Sequence, residues 1–455
     1  MPSRNALGRA ARALHRLVAL AVVPVLLAGC GGGGGDSGTP QACTVATHQN
    51  WLADYMNEWY FWYRLAPHPD PAGYATVDSF FNALLYTGTD ANFPADRWSR
   101  SETNESFNRF FGDGATLGWG VSVAGLEVAG DGTKPLYVRH VEAASPAAAQ
   151  GVQRGDQVMS INGRPASALV AANDFSALSA VNAGDMLTLV LRRQGVDRSV
   201  SLVASVFPLT PVTYASLLQS NAGRKLGYVV VKDMISQALA PLDAAFAQFK
   251  AARVSDVVLD LRYNGGGLVS TGATLASYIT GLRGTGKDYA RLLYNDKRAT
   301  SNNERFPFSA PSAALGLPRV FVLMGRRTCS ASEQVINGLR GAGIEVIAIG
   351  ETTCGKPVGF LPASACGMTY SVVNFESVND LNQGRYFDGF GATCAMAEDF
   401  TTPIGSLAEP LLGAAAHYAD GGGCPAASTR MQPLAQRRTV PWGVEPGERQ
   451  DMVGR

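Results

Sequence analysis

Cys329-Ser330-Ala331-Ser332-Glu333 comes shortly after the apolar run Val320-Phe321-Val322-Leu323-Met324. That run has the length and β-branching of a buried strand, and Ala331 to Leu339 has the periodicity of a helix. Ser330 is therefore expected at a strand-to-helix turn, its hydroxyl at the positive end of the helix dipole. Unsatisfied backbone N–H groups of the first turn would face a developing oxyanion there. Ser330 and Glu333 also satisfy a Ser-x-x-Glu capping box, which needs no chemistry. Lys356 lies 26 residues beyond Ser330. A serine with a lysine suffices for nucleophilic catalysis if the fold joins them.

Two neighbouring segments bear on that condition. Val257-Val258-Leu259-Asp260-Leu261-Arg262-Tyr263-Asn264-Gly265-Gly266-Gly267 reads as a buried strand running into a glycine turn. Glycines there permit a backbone conformation, and a close approach to a ligand, that side chains block. Gly350-Glu351-Thr352-Thr353-Cys354-Gly355-Lys356 follows a further apolar strand, Val346 to Ile349, and sets Lys356 on the loop after it. Three strand ends that each deliver a polar element are the way open α/β sheets build sites.

Asp-Leu-Arg-x-Asn-x-Gly-Gly, Ser-Ala-Ser-Glu and the downstream Gly-Lys occur in the order found in the carboxyl-terminal processing (tail-specific) proteases, and the chain resembles that family over roughly residues 45 to 420. The resemblance implies an α/β catalytic domain of Clp-protease/crotonase-like layout. It implies Ser330 as nucleophile, Lys356 as general base, and backbone N–H groups of Gly266 and Ala331 as oxyanion hole, with Ser332 a bystander. A lysine base must be neutral, so its pKa has to fall well below the usual value of about 10.4. Burial beside Val358, Phe360 and Val322 is the expected cause. The sequence departs from the family at one point. Many members carry a glutamine four residues after the lysine, where this chain has Phe360. Pro357 also pushes Lys356 towards an extended backbone. The orienting partner is then expected from Glu351, Thr352 or Thr353.

Histidine usage favours a lysine base. The five histidines are His15, His48, His68, His140 and His417, so the span 141–416 that holds all three motifs has none. His417 stays open as a residue that folds back. Asp260 and Arg262 are expected to brace the strand end. No His-Glu-x-x-His or paired Cys-x-x-Cys pattern occurs, so neither metal nor cofactor is expected. Cys329, beside Ser330, is an alternative thiol nucleophile or one half of a bridge.

Arg4, Arg9, Arg12 and Arg16 precede an apolar run from Leu17 to Leu27, too short to span a bilayer but suited to a signal peptide. Leu27-Ala28-Gly29-Cys30 resembles a bacterial lipoprotein cleavage site, which implies a signal peptide over 1–29 and lipidation of Cys30. Residues 30–42, with five glycines from Gly31 to Gly35, then form a flexible tether. The expected location is the periplasmic face of a bacterial membrane. Because no Asp directly follows Cys30, the outer membrane is favoured. Residues 1–29 hold four of the 38 basic side chains and no acidic one, leaving 34 basic against 37 acidic. That balance argues against nucleic acid as a partner. Export favours disulfides among Cys43, Cys329, Cys354, Cys366, Cys394 and Cys424, whose connectivity the sequence leaves open.

Residues 43–106 are expected to be helical, with Trp51, Leu52, Tyr55, Met56, Trp59 and Tyr60 on one face. Within 107–205, Leu117-Gly118-Trp119-Gly120 and Ser145-Pro146-Ala147 to Ile161-Asn162-Gly163 resemble a PDZ domain, inserted in or preceding the catalytic domain. The first stretch resembles the loop that captures a C-terminal carboxylate, and such domains bind peptides by strand addition. Residues 206–424 are expected as the α/β protease domain with a largely parallel, covered sheet. Residues 282–312 read as an exposed polar loop, and 425–455 as a disordered tail. The expected activity is that of a serine endopeptidase with a Ser-Lys dyad, cutting extended polypeptides recognised by their free C-terminal end. The alternatives are a catalytically silent PDZ-containing peptide-binding lipoprotein and a crotonase-like acyl-transfer enzyme. Oligomeric state stays open.

Overall fold

The computed structural model describes residues 43–128, 130–425 and 449–454. The expected signal peptide, the expected lipidation site Cys30 and the expected tether lie outside the described residues. The centre of the molecule is a six-stranded sheet in the order Val212–Gln219, Lys225–Val231, Asp256–Asp260, Arg319–Met324, Glu345–Gly350, Cys394–Ala395. Only the first pair is antiparallel; the other four pairings are parallel.

Side chains alternate across the strands, so one run feeds two cores. Val229, Val257, Leu259, Val320 and Val322 meet the helices Leu239–Ala252, Val269–Thr280 and Ala331–Gly341. Tyr228, Val258, Phe321, Leu323, Ile347 and Ile349 pack instead on the helix Pro410–Ala419. Coverage of both faces explains why these strands read as continuous apolar runs. Each fully buried Leu, Ile or Phe contributes about 1.5–3 kcal/mol.

A second six-stranded sheet runs Gly266–Leu268, Asp451–Val453, Val358–Phe360, Val373–Val378, Asp288–Tyr294, Glu304–Pro307. It corrects two expectations. The stretch 282–312 is no open loop: Asp288–Tyr294 is a largely buried strand, its Asp288 carboxylate taken up by Arg291 and Arg305 at 2.9 and 2.8 Å. The tail is not disordered throughout, because Asp451–Val453 is a buried strand inside this sheet. Residues 426–448 lie outside the described residues.

The N-terminal region forms helices Val45–Trp59 and Val77–Leu84, the first capped by Thr44 and Thr47. Its aromatic face packs as expected, with Trp51 stacked on Tyr55 at 5.1 Å. The region also contributes the strand Arg100–Thr103, antiparallel to Met368–Ser371, and the disulfide Cys43–Cys366. Catalytic-type structure therefore flanks the PDZ domain on both sides, and the PDZ domain is an insertion. Its sheet is built from Val121–Val123, Leu136–Val141, Gln157–Ile161, Met186–Arg193 and Val196–Val203. A pairing of Ala115–Gly118 with Ser205–Pro208 closes the entry and exit of the insertion. Among the described residues no helix is long and apolar enough to cross a membrane.

Candidate active site

Strand Arg319–Met324 ends in a turn that leads straight into helix Ala331–Gly341, and Ser330 occupies the corner. Its backbone has φ 62° and ψ −120°. A non-glycine residue held there stores strain of about 1–3 kcal/mol, a cost that clusters at functional sites. The Ser330 Oγ is buried and makes no hydrogen bond among the described residues. Ser332, the other serine of the motif, instead donates its hydroxyl to the Asn264 carbonyl at 3.0 Å. Only one of the two serines is therefore unengaged.

Glu333 is more than a cap. Its Oε2 accepts from the Ser330 N–H at 3.0 Å and the Lys356 N–H at 2.8 Å. Its Oε1 accepts from the Gly355 N–H at 2.8 Å and the Thr353 hydroxyl at 2.5 Å. One fully buried carboxylate thus ties the serine corner to the lysine loop. Burial pushes the Glu333 carboxyl up, and the four donors work against that. The disulfide Cys329–Cys354 spans the same two loops, which removes Cys329 as a thiol nucleophile. Its closed loop of about 25 residues should contribute roughly 3 kcal/mol. Cys329→Ser with Cys354→Ser is expected to lower unfolding free energy by about 2–4 kcal/mol, read from the denaturant midpoint. The remaining bridge is Cys394–Cys424.

Lys356 is fully buried. Burial holds its pKa down to about 7, and Arg100 adds to the lowering, while Asp451, Asp96 and Glu333 pull the other way. The Nζ sits 3.8 Å from the centre of the Phe360 ring and donates to the Gln450 carbonyl. The aromatic face therefore stands where the family's glutamine is expected. Thr353 serves Glu333, and Glu351 lies beside Arg326 at 3.5 Å.

Asn264, part of the quoted motif but given no role of its own, shapes the glycine turn. Its side-chain NH₂ donates to the Val231 carbonyl at 2.9 Å, and its Oδ1 accepts the Gly266 N–H at 2.8 Å. The Gly266 N–H, expected in the oxyanion hole, is thus engaged in this state. A Cβ on Gly266, whose φ is 108°, would crowd the Asp451 carbonyl, and would lie 2.9 Å from the Ala331 nitrogen and 3.0 Å from the Ser330 Cβ. The turn, the helix start and the serine corner therefore converge on one point. Asp260 and Arg262 brace the strand end beneath it. Asp260 accepts from Tyr228 at 2.7 Å, and Arg262 pairs with Asp260 and Glu409 at 2.8 and 2.9 Å. His417 lies on the helix packed behind the first sheet, its ring against Gly422.

The PDZ stretch lines a cavity of about 220 Å³ together with Gly265 of the glycine turn, Arg449 and Gln450. Leu117 and Gly118 are strand residues paired with Val206 and Ser205. Trp119 is buried in the PDZ core. Arg327, three residues before Ser330, forms a two-pronged pair with Glu127 of the PDZ domain at 2.9 and 3.0 Å. A salt bridge thus connects the PDZ insertion to the loop that leads into Ser330.

The fold and site define a PDZ-containing protein with the architecture of a serine-type peptidase. Three family models match consecutive segments: "Peptidase S41 N-terminal domain" over residues 47–100, "PDZ domain" over 112–192 and "Peptidase family S41" over 225–365. Two of the matched segments are thus those of peptidase family S41, and the one between them is a PDZ domain. It is similar to a chloroplastic C-terminal processing peptidase of Tetradesmus obliquus, 30% identical over 52% of this chain and 51% of that one. It is also similar to a carboxyl-terminal-processing protease of Picosynechococcus, 27% identical over 52% of this chain and 56% of that one. The chain thus spans about half the length of the curated relatives it matches. A crystal structure from Bacteroides fragilis, named "Putative S41 protease", shares the fold with a TM-score of 0.63, 23% identity, and coverage of 82% of this chain and 97% of that one. A photosystem II D1 C-terminal processing protease does so with a TM-score of 0.50, 19% identity, and coverage of 78% and 94%.

Proposed function

We propose that this protein is a serine endopeptidase that hydrolyses extended polypeptides with Ser330 as nucleophile and Lys356 as general base. The observation that carries this reading is that one buried carboxylate, Glu333, holds the backbone N–H groups of both Ser330 and Lys356, while burial holds the Lys356 amine pKa down to about 7 and the Ser330 hydroxyl is unengaged among the described residues. Neutral Lys356 takes the hydroxyl proton as Ser330 Oγ bonds to the scissile carbonyl carbon. The oxyanion is received by the Ala331 N–H at the helix start. Lys356 returns the proton to the leaving amine, leaving an acyl-Ser330 ester. Water, deprotonated by the same amine, then releases the carboxylate and restores both side chains.

The PDZ insertion supplies recognition of the substrate's free C-terminal end through the 117–120 stretch, by strand addition. Its Glu127–Arg327 link offers a route by which an occupied PDZ domain moves the nucleophile loop. Lipidation at Cys30 would hold the enzyme on the periplasmic face of a bacterial membrane, the outer membrane on the sorting pattern. Its partners are then polypeptide substrates and the lipid bilayer.

Because only the neutral amine accepts a proton, kcat/KM is expected to fall below about pH 7 and to level off above it. Cleavage of an unfolded polypeptide followed from pH 5 to 9 checks this. A profile flat down to pH 5 would remove Lys356 as the base. Peptide binding without cleavage at any pH would favour the silent scaffold.

A further inference from the structure

The peptide carbonyl on Lys356 belongs to the chain itself. Segment Arg449–Gly454 passes through the site, its residues Asp451–Val453 forming a strand parallel to Gly266–Leu268 on one side and, at Val453, to Val358–Phe360 on the other. The Asp451 N–H donates to the Gly265 carbonyl at 2.9 Å, and the Gly454 N–H donates to the Phe360 carbonyl at 3.0 Å. A Cβ on Gly265 would overlap the Arg449 carbonyl, and one on Gly266 the Asp451 carbonyl. The close approach that the glycine run permits is therefore used by this segment.

Its side chains are matched by charge. The buried Asp451 carboxylate is paired with Arg100. The Arg449 guanidinium pairs with Glu102, one contact being 2.8 Å, and lies 4.4 Å from the Phe110 ring centre. Arg100 and Glu102 sit on the N-terminal strand Arg100–Thr103, outside both catalytic sheets' central strands. Met452 and Val453 are fully buried. The channel therefore presents an acid for a basic residue, a base for an acidic residue two positions later, and apolar walls for the next two.

We propose that this channel, flanked by Gly265–Gly267 and Val358–Phe360, is a substrate-strand site selective for Arg-x-Asp followed by two apolar residues, with Arg100 and Glu102 setting the preference, and that Arg449–Gly454 competes with substrate for it. The word substrate rests on the peptidase reading above; the strand selectivity does not. Occupancy by this segment is non-covalent, and a competing strand must displace it to reach Ser330.

The test uses the full chain carrying Ser330→Ala, which removes turnover. Hydrogen exchange of the 449–454 amides is expected to be slow. It should accelerate at least tenfold with Asp451→Lys and return towards the slow rate in the charge swap Asp451→Arg with Arg100→Glu. The swap guards against a single variant that merely misfolds. A fluorescein-labelled peptide Arg-Gln-Asp-Met-Val-Gly is expected to bind the Asp451→Lys chain at least tenfold more tightly than the chain with its own segment intact. That binding should fall at least tenfold when the peptide's Asp is replaced by Lys. Binding indifferent to the peptide's charge, or exchange unchanged by Asp451→Lys, would overturn the proposal. Neither readout needs catalysis. Selective binding by a chain that never cleaves would sink the peptidase reading and keep the channel's selectivity; cleavage indifferent to the Arg100 charge would do the reverse.

Discussion

Ser330→Ala is expected to lower peptide-bond hydrolysis by about 10⁴-fold or more while leaving the protein as stable as before. The activity loss follows from the proposed mechanism, in which the Ser330 Oγ forms the acyl bond. The unchanged stability follows from the structure. Because Ser330 Oγ has no hydrogen-bond partner among the described residues, its removal orphans no donor or acceptor. Alanine carries no more backbone strain than serine at φ 62°. Lys356→Met extends the argument, since it keeps the apolar stem against Phe360 and deletes only the amine. It should abolish turnover equally, with a melting temperature at neutral pH no lower than the parent's, because a buried ammonium penalty is relieved. Rates on an unfolded substrate and thermal melts of the three proteins measure both effects. Full activity in Ser330→Ala would refute the nucleophile assignment, and a collapse of its melting temperature would refute the structural reasoning.

Glu333→Gln is expected to cost stability where Ser330→Ala does not. Four donors converge on the two Glu333 oxygens. A carboxamide offers one acceptor oxygen, and its NH₂ would meet two of those donors head-on. Two buried hydrogen bonds are lost and donors are left facing each other, a penalty of about 2–4 kcal/mol. Because one donor pair is the backbone of Ser330 and Lys356, activity should fall as well, by about tenfold or more for a small misplacement. Urea unfolding and turnover of the purified variant test the pair of effects. A stability change below about 0.5 kcal/mol would mean that the carboxylate does not hold the two loops together.

The catalytic half of the fold was legible because its information is local. Each strand of the first sheet is a contiguous apolar run, and each functional group follows its strand within a few residues, as in Asp260 to Gly267 and Val346 to Lys356. What stayed hidden depends on distant pairings. Glu333 satisfies the local capping rule, and nothing in that pattern shows that the Gly355 and Lys356 N–H groups, over 20 residues away, share the carboxylate. Asn264 is one polar residue of a motif in the sequence, and its role arises only from Val231 and Gly266, which the fold sets around it. The second sheet is assembled from short strands, three residues long at Gly266–Leu268, Val358–Phe360 and Asp451–Val453. Segments that short carry almost no periodic signal. Asp288–Tyr294 was masked by its own charges, because Asp288 and Arg291 neutralise each other only once folded. Arg100 and Glu102 gave no signal at all, their meaning arising only from Asp451 and Arg449 opposite them.

The most direct test is covalent labelling of the full chain by a serine-reactive acylating or phosphonylating probe, with the modified residue read by mass spectrometry from pH 5 to 9. The account predicts a single adduct on Ser330, forming faster as the pH rises through about 7 and absent in Lys356→Met. Labelling of a different serine, or labelling of Ser330 at a rate independent of both pH and Lys356, would contradict it.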